Sequence, residues 1–100
     1  MEVNITKDNF EQEVLKCAGT VIVDFYGTWC MPCKMLAPIV EKVVNDQNIK
    51  LAKVDVDENE ELVRRYKIMS VPTLLIFKNG EHVATSSGVV SENRILELIK

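Results

Sequence analysis

Apolar residues recur along the chain with two different periods, and each change of period marks a new element. Val3 and Ile5 alternate with polar neighbours, which predicts a short edge strand around Val3–Ile5. Asp8 and Glu11 stand at capping-box spacing, and Phe10, Val14 and Cys17 follow on one helical face. That pattern predicts a helix ended by Gly19. The run Val21-Ile-Val-Asp-Phe-Tyr26 is apolar on both faces apart from Asp24, as expected of a central strand covered by helices on both sides. From Cys33 the helical period returns: Leu36, Ile39, Val40, Val43 and Val44 share a face through Asn45. Pro38 lies inside this helix and is expected to kink it.

The second half continues the alternation. Ile49–Asp55 reads as a strand, with Leu51, Lys53 and Asp55 on one face and Ala52 and Val54 on the other. Asp57 and Glu60 predict a capped short helix carrying Leu62, Val63 and Tyr66. Val71–Phe77, Asn79-Gly80 and Glu81–Ser86 then predict a hairpin, because Asn-Gly favours a type I′ turn. Ser91 is the expected N-cap of a last helix that buries Ile95, Leu96 and Ile99. The element order is βαβαβαββα. Right-handed βαβ crossovers make the first strands parallel, and the hairpin adds antiparallel strands at one side. The fold class is therefore α/β, a mixed five-stranded sheet with helices on both faces. Open α/β sheets place their sites beyond the carboxyl ends of the strands. The segment Trp29-Cys-Met-Pro-Cys-Lys34 begins there.

Composition narrows the class. One hundred residues, 47% hydrophobic and 27% charged, suit one globular domain spanning residues 1–100. A formal charge of −3 and the lack of any basic run argue against a nucleic-acid partner. Apolar stretches are too short for a membrane span, so no membrane association is expected. Met1–Lys7 has neither a basic leader nor an apolar core, so the cytoplasm is the expected location. Structural disulfides are rare there, and three cysteines is an odd count. The pair Cys30/Cys33 thus reads as redox or metal-binding.

At the start of a helix, Cys30 would meet unsatisfied N–H groups and the positive end of the dipole, both of which favour its thiolate. Cys33, one turn on and shielded, could close a small disulfide ring with it. Zinc is the alternative, but the remaining ligands, Cys17 and His82, are not at ligand spacing. Cys17 also fits a buried apolar position, and His82 a solvated strand position. An acidic Asp24 in an apolar central strand is costly, since burial opposes its charge. Its side chain either lies beneath Cys33 as a general base or turns to solvent at the strand end. Lys53 either faces Asp24 from the next strand or is solvated. Pro72, at the opening of an apolar strand, is either trans or a cis residue that turns Val71 toward the cysteines.

Taken together, Trp29-Cys-Met-Pro-Cys-Lys34, Asp24, Lys53, Ser70-Val-Pro-Thr73, Phe77-Lys-Asn-Gly-Glu81 and Gly88 resemble the thioredoxin family in order and spacing across essentially the whole chain. The resemblance implies the thioredoxin fold, a cis Pro72, and Asp24 as the buried carboxylate that assists Cys33. It also implies a peptide groove formed by Trp29, Met31, Pro32, Val71, Pro72, Gly88 and Val89. The implied activity is general protein-disulfide reduction through the Cys30/Cys33 dithiol. Disulfide-containing proteins are the implied substrates and a flavin-dependent thioredoxin reductase the implied electron donor. The chain itself has no nucleotide-binding fingerprint, so no resident cofactor is expected, and a monomer is expected. Met31 stands where the family usually has Gly, which bears on the reduction potential and on substrate choice. Tyr26 stands where the family commonly has Trp.

Overall fold

The two-residue alternation of side chains along the central strand decides which face each core residue serves. A computed structural model describes residues 1–100. It contains β1 (Glu2–Asn4), a π-helical turn (Glu11–Leu15), β2 (Thr20–Tyr26), α1 (Met31–Gln47), β3 (Lys50–Asp55), α2 (Glu60–Arg65), β4 (Thr73–Lys78), β5 (Glu81–Ser87) and α3 (Glu92–Leu98). The strands lie in the order β1-β3-β2-β4-β5. β1, β3 and β2 are parallel, while β4 and β5 are antiparallel additions. The expected α/β architecture is present.

Each sheet face has its own apolar cluster. Val21, Val23 and Phe25 of β2 join Ala52, Val54, Leu75 and Phe77 under the π-helical turn and α2. Ile22 joins Leu51, Leu74 and Ile76 under α1 and α3, packed on Leu36, Val40, Val43 and Ile95. Asp24 and Lys53 have the parity of Ile22 and Leu51, so both belong to the α1 face. α1 runs unbroken through Pro38.

Two predicted helix starts are different. Asp8 is not a cap: Asn9 Oδ1 accepts the Thr6 N–H at 2.7 Å and Thr6 Oγ1 accepts the Asp8 N–H at 3.2 Å. These bonds close a tight turn first. The chain then makes a single wide turn, in which the Lys16 N–H donates to Glu11 O at 2.8 Å. Phe10 and Val14 are still buried, but Cys17 falls beyond the element and is only half-buried. Asp57 likewise caps nothing, because its carboxylate accepts the Trp29 indole N–H at 2.8 Å. α2 starts at Glu60, after a buried Asn59 whose amide donates to Asp55 O at 2.9 Å. His82 is exposed as expected yet not free, stacking on Phe77 with ring centroids 5.4 Å apart.

The β4–β5 hairpin turns as its Asn-Gly pair requires, with φ of 52° at Asn79 and 83° at Gly80. Asn79 also exchanges bonds with Gly19, accepting its N–H on Oδ1 at 2.8 Å and donating its own N–H to Gly19 O at 2.9 Å. A Cβ on Gly80 would run into the backbone carbonyl of Leu15. Space and backbone conformation therefore both demand glycine. Gly80→Ala is expected to destabilise the fold by about 2 kcal/mol, read as a lower urea midpoint.

Candidate active site

Cys30 occupies the N-cap of α1 in extended conformation, with φ −94° and ψ 109°. Its Sγ accepts the Cys33 N–H at 3.2 Å, in the role an oxygen plays in an ordinary cap. Pro32, in the first turn, has no N–H to leave unsatisfied. Cys33 stands one turn along the helix, its Cα 5.3 Å from that of Cys30, and the two sulfurs are joined as a disulfide. A sulfur so placed gains from N–H donation and from the helix dipole when it carries negative charge. Cys33 is shielded as expected, and in this closed ring Cys30 is equally buried, the two being 6% and 4% exposed. Cys30 is covered by the loop opposite, since its Sγ lies 3.9 Å from Val71 O.

That loop carries the cis Val71–Pro72 peptide bond. The Gly88 N–H donates to Pro72 O at 2.8 Å, tying the Gly88-Val89 loop to it. Thr73 Oγ1 donates to Ser70 O at 2.8 Å and closes the loop from within. Trp29 lies mostly in solvent but is held by Asp57, and a Cβ on Gly27 would come within 2.7 Å of its ring. A cavity of about 220 Å³ lined by Trp29, Val56, Val63, Ile68, Met69, Ser70 and Val71 flanks the cysteines. Met31 and Val89 are exposed. Met35 and Met69 are exposed too, and the sequence did not single them out. Asp57 was equally hidden, because its spacing reads as a helix cap.

Asp24 is buried on the α1 face with its Oδ1 lacking any hydrogen-bond partner. It opens into a cavity of about 280 Å³ that Cys33, Lys34, Ala37, Lys53, Tyr26, Gly27 and Thr28 also line. Lys53 stands opposite Asp24 in the β2–β3 register. Its Nζ rests over the Tyr26 ring, 4.8 Å from the centroid. Burial pushes the Asp24 carboxyl up to about 6; Lys53 lowers it, and Glu2 and Glu41 raise it further. Burial and the nearby Asp55 also push the Tyr26 phenol up. A carboxyl near neutrality beside a thiol, across a shared cavity, can exchange a proton with it. A larger cavity of about 400 Å³, lined by Phe10, Asn59 and charged residues, lies on the other sheet face and holds no nucleophile. No three metal-ligating side chains come together.

A family model described as Thioredoxin matches residues 2–100. A thioredoxin of Rickettsia bellii (strain RML369-C) is 44% identical over 99% of this chain and 96% of its own length. One of Pseudomonas aeruginosa is 41% identical over 93% of this chain and 88% of its own. Among solved structures, a mutant thioredoxin from Halobacterium salinarum NRC-1 superposes with a TM-score of 0.89 at 36% identity, covering 98% of this chain and 87% of that one.

The burial of Asp24 carries an additional, pH-dependent cost where the group is ionised. Its pKa is raised in the fold, from 3.8 to about 6, so the folded state keeps a proton that the unfolded state has lost. Between these values stability falls as pH rises, and above them the full cost of about 3 kcal/mol is reached. Well below pH 3.8 both states are protonated and this additional cost vanishes. Asp24→Asn is therefore expected to gain stability relative to the parent as pH rises from 4 to 8, by about 3 kcal/mol in all. Urea unfolding across that range measures it, and a constant difference between the two proteins would contradict the assignment.

Proposed function

The chain belongs to the thioredoxin family, and from that premise we propose which of its residues perform each step of the reaction. The protein is a thiol–disulfide oxidoreductase that reduces protein disulfides. The observation that carries the residue assignment is the Cys30 sulfur capping α1 beside a cavity shared by Cys33 and Asp24.

In the reduced protein, Cys30 is the attacking thiolate, favoured by the Cys33 N–H and the helix terminus. Its sulfur attacks one sulfur of a substrate disulfide; that S–S bond breaks, and the displaced substrate thiolate takes a proton from water. A mixed disulfide remains on Cys30. Asp24, ionised in part near neutral pH, takes the proton from the Cys33 thiol through the cavity they share. The Cys33 sulfur then attacks Cys30 Sγ, the second substrate sulfur leaves, and the Cys30–Cys33 bond closes. The second substrate sulfur leaves as a thiolate and takes from Asp24 the proton that came from Cys33. The substrate thus gains two electrons from the dithiol and two protons, one from water and one from Cys33. Lys53 favours the ionised state of Asp24 as the proton moves. Extended substrate backbone lies along Val71 and Pro72, with its side chains against Trp29, Met31, Pro32, Gly88 and Val89.

Reduction of the closed ring requires an outside donor, because the chain carries no cofactor-binding fingerprint. Disulfide-bearing proteins and a reductase are the partners that go with this family. A flavin-dependent thioredoxin reductase is the donor we assign, acting on a monomer in the cytoplasm. No helix is long and apolar enough to cross a membrane, and the formal charge of −3 supports protein rather than nucleic-acid partners.

Replacing Cys30 by Ser is expected to abolish turnover in an insulin reduction assay, by at least about a thousandfold. Cys33→Ser is expected to stop at the mixed disulfide, visible as a covalent adduct by mass spectrometry. Asp24→Asn should slow release of that adduct about 10- to 100-fold while leaving its formation nearly unchanged. Equal slowing of both steps would remove Asp24 from the role of base.

A further inference from the structure

Tyr26 lines the Asp24 cavity but has no part in the steps above. The alternation of β2 places it two residues beyond Asp24 on the same face, and the register sets Lys53 against Asp24 and Asp55 against Tyr26. An ammonium adjacent to a buried carboxyl would ordinarily close on it as an ion pair. Here it does not: none of the ion pairs in the chain involves Lys53 or Asp24. The Lys53 Nζ sits instead on the Tyr26 ring, 4.8 Å from its centroid, while Asp24 Oδ1 is left without a partner. The negative face of an aromatic ring is an alternative seat for a cation, one that competes with the carboxylate.

We propose that Tyr26 is a positioning residue: its ring holds the Lys53 ammonium off Asp24, so that the buried carboxyl stays unpaired and free to receive the Cys33 proton. A carboxylate clamped by an ammonium at salt-bridge distance holds protons weakly and makes a poor base. One with the same ammonium nearby but not in contact keeps the basicity that burial confers. The other charged groups around Asp24 are Glu2 on β1, Glu41 and Lys34 on α1, and Asp55 beside Tyr26. None of these is a cation seated on the ring. The β4 neighbour in register, Leu74, is apolar.

The inference rests on the base role of Asp24, but its readout is the titration of that carboxyl rather than turnover. The Asp24 side-chain carboxyl is followed by carbon-13 NMR against pH in the oxidised, full-length protein. In Tyr26→Leu, Lys53 closes on Asp24 and the midpoint falls by about one or more on the pH scale. Tyr26→Phe keeps the ring face and leaves the midpoint in place. Adding Lys53→Met to Tyr26→Leu removes the clamp and brings the midpoint back up. Should the leucine variant not fold, Tyr26→Met carries the same expectation. An unchanged or raised midpoint in the leucine variant overturns the proposal. An equal fall in the phenylalanine variant, or a fall that survives loss of Lys53, does so as well. Should Asp24→Asn prove kinetically silent while these midpoints move as stated, the base role fails and the positioning by Tyr26 stands.

Discussion

A carboxyl group kept from water in the middle of the central strand is the constraint around which the molecule is arranged. Asp24 sits between Val23 and Phe25, both fully buried in the opposite cluster, and it has no hydrogen-bond partner for its inner oxygen. Such a group survives only in a fold whose remaining core is well packed, because an unpaired buried polar atom costs on the order of a few kcal/mol. The two apolar clusters supply that packing, one on each face of the sheet. Their separation is a consequence of strand geometry. The alternation that sends Val21, Val23 and Phe25 to one face sends Ile22 and Asp24 to the other, beneath the helix that carries Cys33.

The second requirement is a helix that begins at a sulfur. α1 buries Leu36, Val40, Val43 and Val44, so the sheet fixes its direction and its starting point. That anchoring is what lets the first turn present a backbone N–H to Cys30 instead of to a side-chain oxygen. A free helix end would satisfy its N–H groups with water and confer little on the thiolate. The long apolar face of α1 therefore fixes the N–H that caps the Cys30 sulfur. The cis Val71–Pro72 loop completes the site from the other side, held by Thr73 within and by Gly88 beyond.

Strand and helix identity were legible wherever a run was long and strongly periodic. β2, α1 and the Asn79-Gly80 hairpin lie where periodicity and turn chemistry place them. Legibility failed at Asp8 and Asp57, for one physical reason. Capping spacing identifies an acid that can reach a helix N-terminus, but it does not reveal a competing donor. At Asp57 the competitor is an indole N–H brought across from residue 29, and no local pattern encodes it. At Asp8 the Thr6 and Asn9 side chains close their own turn first. Within the site, Cys30, Cys33 and Asp24 could be read because each is chemically odd for its position. Tyr26, Gly27 and Met69 could not, because an aromatic at a strand end, a glycine in a loop and an exposed methionine are ordinary residues until their neighbours are known.

The cost of burying Asp24 would by itself draw Lys53 into contact, yet Lys53 lies near the carboxyl without touching it. A direct ion pair would relieve the burial, since opposite charge at contact restores the ionised form. The relief would also remove the basicity that burial creates, leaving a carboxylate with little affinity for a thiol proton. With no cation nearby, the carboxyl would be harder still to ionise. An ammonium parked on an aromatic face lies between these limits: near enough to lower the pKa, too far to clamp the oxygen. Under the proposed base role, stability and chemistry make opposite demands on Asp24, and the geometry of its neighbours sets the balance between them.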